Sequence, residues 1–174
     1  TFFKLLSIVL TLSLALTCCM AAFNATAEET ETEQVYFYVN PTSTGGEAAD
    51  GITPATAVPT IVDAINKAKA YDSNSDGIPD FGEDDTVYIR LIKALQEDGK
   101  TEIWQELYPT GVTNIPSHDF KLDIASNDAQ ATIKMYSAVT LQNDTKFTNL
   151  VFAFESGFWR NLIFNSHNIS FGPN

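Results

Sequence analysis

Cysteine is nearly missing from this chain of 174 residues, and the two present, Cys18 and Cys19, are adjacent and close to its start. Two neighbouring cysteines give no disulfide framework, so the body of the chain does not depend on cross-links. Cations are scarce as well: ten Lys and Arg stand against 22 Asp and Glu, a net charge of −12. That balance excludes a basic face for nucleic acid or an anionic membrane, and it is compatible with cations or with neutral partners such as glycans. There are two histidines, His118 and His167, far apart and without metal-ligand spacing. Each is expected at a strand edge or in a loop. No Gly-x-Ser-x-Gly, phosphate-binding loop or paired-carboxylate pattern is present. With 44% hydrophobic residues the chain is not disordered as a whole, and its length suits one domain or a piece of one.

What is present begins with a leader. Lys4 precedes an apolar run from Leu5 to about Phe23, and Ala25-Thr26-Ala27 stands before Glu28. This is the order of a secretory signal peptide, so residues 1–27 are expected to be removed after Ala27. An uncleaved anchor is the alternative, because the run is nearly long enough to span a bilayer. Lipidation at Cys18 is disfavoured by Thr17, which stands where a smaller residue is usual. Cleavage removes both cysteines and leaves a secreted or cell-surface protein with no membrane association. Residues 28–34 read as a polar spacer. The first residue is Thr and the last stretch, "ISFGPN", follows a strand-like run, so a fragment is expected at both ends.

Beyond the spacer the pattern is mainly β. Val35–Val39 is β-branched and aromatic and reads as a strand. A Gly-, Pro- and Thr-rich loop follows. Ile61, Val62, Ile65 and Ala68 then recur at helical spacing, with Thr60 as N-cap and Asp63 three residues on, an arrangement that resembles a capping box. Thr86–Ile92 is a second strand. Residues 93–117 give only a weak signal. After His118, short alternating strands continue to the end: "FKLDI", "ATIKMYS", "VTLQ", "FTNLVFAF", "RNLIFN" and "NISF". Shifting this tail by nineteen residues aligns Ile133, Phe152 and Phe171, Leu122 with Leu141, Met135 with Phe154, Leu150 with Ile169, and Asn149 with Asn168. Asn-apolar-x-Phe also occurs three times, at Asn149, Asn161 and Asn168. Short strands recurring at about twenty residues suit a coiled solenoid, in which each turn stacks on the last. An antiparallel β-sandwich with a calcium loop is the alternative.

Three stretches carry a family resemblance: Tyr38-Val39, the run from Asp50-Gly51-Ile52-Thr53-Pro54 to Ala57, and Thr60-Ile61-Val62-Asp63-Ala64-Ile65. Together they resemble the opening of right-handed parallel β-helix proteins of the pectate-lyase-like superfamily. "TVYIRLI" is similar to their first coil strand, and the later Asn-rich strands look like the rungs of bacterial cell-surface β-helix proteins. The resemblance spans most of the chain after the leader, but not 93–117. It implies a mostly β fold, the start of a right-handed parallel β-helix with an N-terminal capping α-helix. Residues 35–117 would then form the cap region and 118–174 the first, incomplete turns. Its members include lyases, hydrolases, epimerases and non-catalytic adhesins, so it does not fix an activity.

The stretch "DSNSDGIPDFGEDD", from Asp72 to Asp85, gathers six acidic side chains. Asp72, Asn74, Asp76, Gly77 and Glu83 fit D-x-[DN]-x-[DN]-G-x5-E. In that pattern Asp72, Asn74 and Asp76 give side-chain oxygens, Ile78 a carbonyl, Asp80 a direct or water-borne ligand, and Glu83 two oxygens. A hard cation, Ca2+, is expected there in a structural role, joining helix to strand. Pro79 and the strand that follows depart from a helix-loop-helix hand. The stretch is closer to the Asp-rich repeats of thrombospondin type 3 modules. A solvated acidic turn is the alternative.

Other residues are weaker candidates. Arg90 and Arg160 suit a lyase-like groove, yet serve equally as surface cations. Asp123 alternates outward from Leu122 and Ile124 and reads as solvated. Trp104, Phe158 and Trp159 are able to stack on sugars, although burial is the commoner fate. Asn143-Asp144-Thr145 and Asn168-Ile169-Ser170 are formal glycosylation sequons. The expected function is extracellular binding of a glycan or a cell-surface ligand, with calcium stabilising the cap. The rival is a polysaccharide lyase or glycoside hydrolase whose catalytic turns lie beyond this segment.

Overall fold

A computed structural model of the chain describes residues 34–107, 116–135, 139–141, 143–154, 162–163 and 168–172. The expected leader, residues 1–27, lies outside the described residues. The described chain is mostly β. Its elements are β1 (Tyr36–Val39), a 3-10 turn (Pro54–Thr56), α1 (Ile61–Lys69), β2 (Thr86–Leu91), β3 (Ala94–Leu95), β4 (Glu102–Ile103), β5 (Gln105–Glu106), β6 (Lys121–Ser126), β7 (Ala131–Met135), β8 (Val139–Thr140), β9 (Thr145–Thr148), β10 (Leu150–Phe154), β11 (Leu162–Ile163) and β12 (Ile169–Phe171). No helix among the described residues is long and apolar enough to cross a membrane.

Parallel pairing dominates. One sheet has the order β1-β2-β6-β9-β12, a second β10-β7-β5 and a third β11-β8, and all three are parallel throughout. From β6 onward the chain visits the first, second and third sheets in rotation: β6, β7 and β8, then β9, β10 and β11, then β12. The antiparallel exception is the small β3–β4 hairpin. It turns at Asp98-Gly99, where Asp98 Oδ1 accepts from the amides of Lys100 and Thr101, both at 2.8 Å, and Gly99 takes a φ of 65°. Hairpin and β5 together lie in the first part of the stretch where the sequence signal faded. An antiparallel sandwich is therefore not the arrangement of the described residues.

The core lies on the inward side of these sheets. Phe37 and Val39 of β1, Val87, Ile89 and Leu91 of β2, Leu122 and Ile124 of β6, and Phe147 of β9 are buried at alternate positions. Each such side chain contributes about 1.5–3 kcal/mol relative to exposure. Alternation then forces the intervening residues outward.

The nineteen-residue echo holds for one pair of strands. Phe152 lies beside Ile133 and Phe154 beside Met135. It fails in the first sheet, where Leu122 pairs with Thr145, Ile169 with Thr145 from the other side, and Phe171 with Phe147. There the offsets are 23 and 24 residues. The corner at Asn149, whose φ is 54°, lets the chain leave β9 and enter β10 at once, so the path between corresponding strands differs from sheet to sheet.

The first strand's free edge is closed by the loop that follows it. Tyr38 N donates to Gly51 O (2.6 Å), Val58 N to Tyr38 O (3.0 Å), and Asn40 N to Val58 O (2.8 Å). Thus the loop, rather than the helix, satisfies the strand's outer polar groups. Helix α1 buries Ile61, Ala64, Ile65 and Ala68 and packs against β1 and β2. Its buried face includes Ala64, with Val62 only partly covered. Thr60 caps it as expected: its Oγ1 accepts from Asp63 N (3.1 Å) and donates to Asp63 Oδ2 (2.6 Å).

Candidate functional site

Two features concentrate polar chemistry: the acidic loop and the outer face of the five-stranded sheet. The loop is anchored by aromatic rings at its base. Tyr71 and Phe81 stack at 5.6 Å, each meets Phe37 edge-on, and Phe81 also meets Phe120. Asp80 N donates to Tyr71 O at 2.8 Å, closing the base. Above it the side chains turn onto the loop's own amides. Asp72 accepts from Asp76 N (3.2 Å) and Gly77 N (2.8 Å), Asn74 Oδ1 from Asp76 N (3.0 Å), and Asp76 Oδ1 from Ile78 N (2.8 Å). Gly77 has a φ of 84°, which a side chain would oppose, and Ser75 shares that left-handed conformation at 59°.

Asp72, Asn74 and Asp76 are thus brought together. Asp80 instead accepts from Ser73 N at 3.0 Å, and the Ser73 hydroxyl first and this amide second hold its carboxyl below the usual carboxylate range. Ile78 is exposed at 67%. Among the described residues no group of three or more His, Cys, Asp or Glu is close enough to hold a metal ion, so Asp80 and Glu83 do not complete such a group with Asp72 and Asp76. The donor chemistry is that of a hard cation, all oxygen and mostly anionic, while the gathered set is the first half of the expected one.

The outer sheet face is the denser site. Alternation turns Tyr36 and Tyr38 outward from β1, Tyr88 and Arg90 from β2, Asp123 from β6 and Lys146 from β9. Parallel register then aligns them: Tyr36, Tyr88, Asp123, Lys146 and Ser170 are successive partners across all five strands. Arg90 Nη1 lies 3.0 Å from Asp123 Oδ1, and Lys146 Nζ lies 3.1 Å from Asp123 Oδ2. The guanidinium carbon also sits 4.9 Å from the centroid of the Tyr36 ring and 5.5 Å from that of Tyr88. Such a cation over aromatic faces adds about 0.5–2 kcal/mol. Asp123, expected to be solvated, is only 8% exposed because both cations and the neighbouring strands cover it.

A shallow groove of about 320 Å³ crosses this face, with Tyr88, Lys121, Asp123, Lys146 and Ser170 in its lining. Hydroxyls, the two carboxylates of Asp123 and Asp144, two lysines and a tyrosine ring meet there, the mixture that recognises polyhydroxylated ligands by hydrogen bonds and ring contact. The column of Tyr36, Tyr88 and Lys146 was not picked out by sequence motifs. Its signal is the outward phase of each strand, which becomes a site only once the register is known.

The remaining candidates separate. Trp104, expected to be buried, is 44% exposed, with Lys134 Nζ 5.5 Å from the ring centroid. It lies between β4 and β5. His118 is buried in the loop before β6, stacked on Phe120 at 4.6 Å, with Nδ1 2.7 Å from Phe120 O. Of the sequons, Asn143 bonds Asp119 O and Asn168 bonds Asp144. Phe158, Trp159, Arg160 and His167 lie outside the described residues. Compared with protein-family models, curated proteins and solved structures, the chain matches none.

Proposed function

We propose that this is an extracellular or cell-surface protein whose parallel sheets are the walls of a right-handed β-helix and whose outer face binds glycan. The observation that carries the binding reading is the aligned column Tyr36–Tyr88–Asp123–Lys146–Ser170, which lies beside Arg90 and whose members from Tyr88 to Ser170 line a groove. The coil reading is supported by the rotation of the chain through three parallel sheets and by the resemblance of the 38–65 region to β-helix openings. Right-handedness follows the rule for parallel crossovers. A leader read from residues 1–27 supports export.

The binding face needs no catalytic group. Arg90 and Lys146 both face Asp123, which holds them as fixed charges and hydrogen-bond donors. Calcium has a structural role in this reading. It would draw Glu83 and Asp80 toward Asp72 and Asp76 and stiffen the connection between α1 and β2.

Affinity electrophoresis of the chain through gels holding soluble polysaccharides tests the glycan reading. Retardation by at least one polysaccharide, lost in Tyr88→Ala, is the expected outcome. Equal mobility in every gel would remove the reading.

A further inference from the structure

We propose that two copies of this chain join end to end through the margin formed by β10 and β12, making a closed dimer. Columns of inward side chains run across the strands and stop there uncovered. In the five-stranded sheet Ile89, Ile124, Phe147 and Phe171 are successive partners. The first three are buried, while Phe171 is 64% exposed. In the second sheet Met135 is buried and its partner Phe154 is 59% exposed. The rings of Phe152 and Phe171 lie 6.3 Å apart, so β10 and β12 present one apolar end. Among the described residues β12 stands at the margin of its sheet and β10 at the margin of its own. Ile169-Ser170-Phe171 carries no charged residue and no proline, the usual means of blunting a strand edge.

Two observations select a second copy as the occupant. The first is charge. From Thr145 to Asn174 the Lys, Arg, Asp and Glu residues are Lys146, Glu155 and Arg160, although the whole chain carries −12. A charged partner finds little complement in that stretch, and two copies meet there with few like charges between them. The second is the opposite margin of the five-stranded sheet. Tyr38 N, Tyr38 O and Asn40 N of β1 are already bonded to the loop at Gly51 and Val58, so a copy has no edge to add to head to tail. What remains is a two-fold contact of the β10–β12 end with itself. That symmetry sets β12 antiparallel to its own copy, with Ser170 opposite Ser170 and Ile169 opposite Phe171. Alternation keeps Ile169 and Phe171 on the inward face of both copies, so the apolar column passes from one to the other with no slip of register. The contact uses up both free margins and closes at two copies.

Sedimentation velocity of the full chain at about 1 to 100 μM tests the proposal. The expected species is a dimer, half formed by about 10 μM, that grows no further. Phe171→Asp should raise the dissociation constant about tenfold or more while the far-UV dichroism spectrum stays the same. Ser170→Cys, with Cys18 and Cys19 replaced by serine, gives a second readout that stands even where Phe171→Asp fails to fold. Directly opposed residues of an antiparallel pair are within bridging distance, so mild oxidation with diamide should link two copies through position 170. A monomer across the whole concentration range would overturn the proposal and leave the apolar end to a different chain. Growth beyond two copies would overturn the two-fold arrangement. A dimer indifferent to a folded Phe171→Asp, or one that Ser170→Cys does not cross-link, would overturn the assignment to this end.

Discussion

Arg90 and Asp123 meet at 3.0 Å although they are not register partners: Asp123 stands opposite Tyr88, and Arg90 opposite Ala125. The guanidinium leans back along the outer face, and its Nη1 also reaches the carbonyls of Ile89 and Asp123. Asp123 Oδ2 takes Lys146 from the other side. The carboxylate is the hub, and the arginine is largely shielded from water. Asp123→Ala is expected to lower stability by about 3 kcal/mol, because it leaves Arg90 desolvated without its anion. The Lys146 side chain is 52% exposed, so Lys146→Ala should cost under about 1 kcal/mol. Urea denaturation of the two variants measures the difference, and equal losses would deny the carboxylate its central place.

The acidic loop makes a metal prediction. Titration of the chain with Ca2+ should show heat for about one site, of the weak to moderate affinity seen in extracellular modules. Asp76→Ala should abolish it. Asp76 accepts from Ile78 N and Asn74 Nδ2, so the variant also needs a metal-free stability measurement to separate loop damage from ligand loss. Flat wild-type heats would leave a solvated turn.

The helix start offers a simpler test. Thr60→Ala removes the acceptor for Asp63 N and should destabilise the fold by about 1 kcal/mol, whereas Thr60→Ser should retain most of it. Thermal or chemical unfolding of both variants is sufficient.

Acid should loosen the cap. Asp50 has its carboxyl held below its ordinary 3.8, first by the Thr56 hydroxyl and then by the Ile52 amide. A depressed folded-state pKa contributes stability that is complete above the unfolded value and is lost as pH falls through the folded one. Stability should therefore drop below about pH 4, and Asp50→Asn should flatten part of that drop. Denaturant midpoints from pH 6 down to pH 3 report it. An identical slope in the variant would exclude Asp50 as a source.

Much of the fold was legible because it is written locally. Thr60 and Asp63 announce the helix, and alternation announces β1, β2, β6, β7 and β12 to within a residue or two. The rest depends on what lies between. The described part of the weak stretch, residues 93–107, is built from two-residue strands and an Asp-Gly turn, too short for any period to register. The nineteen-residue echo captured β7 against β10 but set β12 against β10, where the structure pairs it with β9, because the chain spends different lengths at different corners. The site was less legible still. Asp123 looks like an ordinary solvated aspartate until β2 and β9 deliver Arg90 and Lys146 to its two oxygens. Trp104 looks like core, yet its ring is exposed beside Lys134.

Tyr71 and Phe81, stacked beneath the acidic loop, make its two ends one fixed point on the protein surface. The entropy of closing the loop is met by ring packing in the interior rather than by anything in the loop itself. The exposed residues between them are therefore a natural insertion point. A foreign peptide, a fluorophore-bearing segment or a different ion-binding sequence placed there would be held at both ends, with the hydrophobic interior undisturbed.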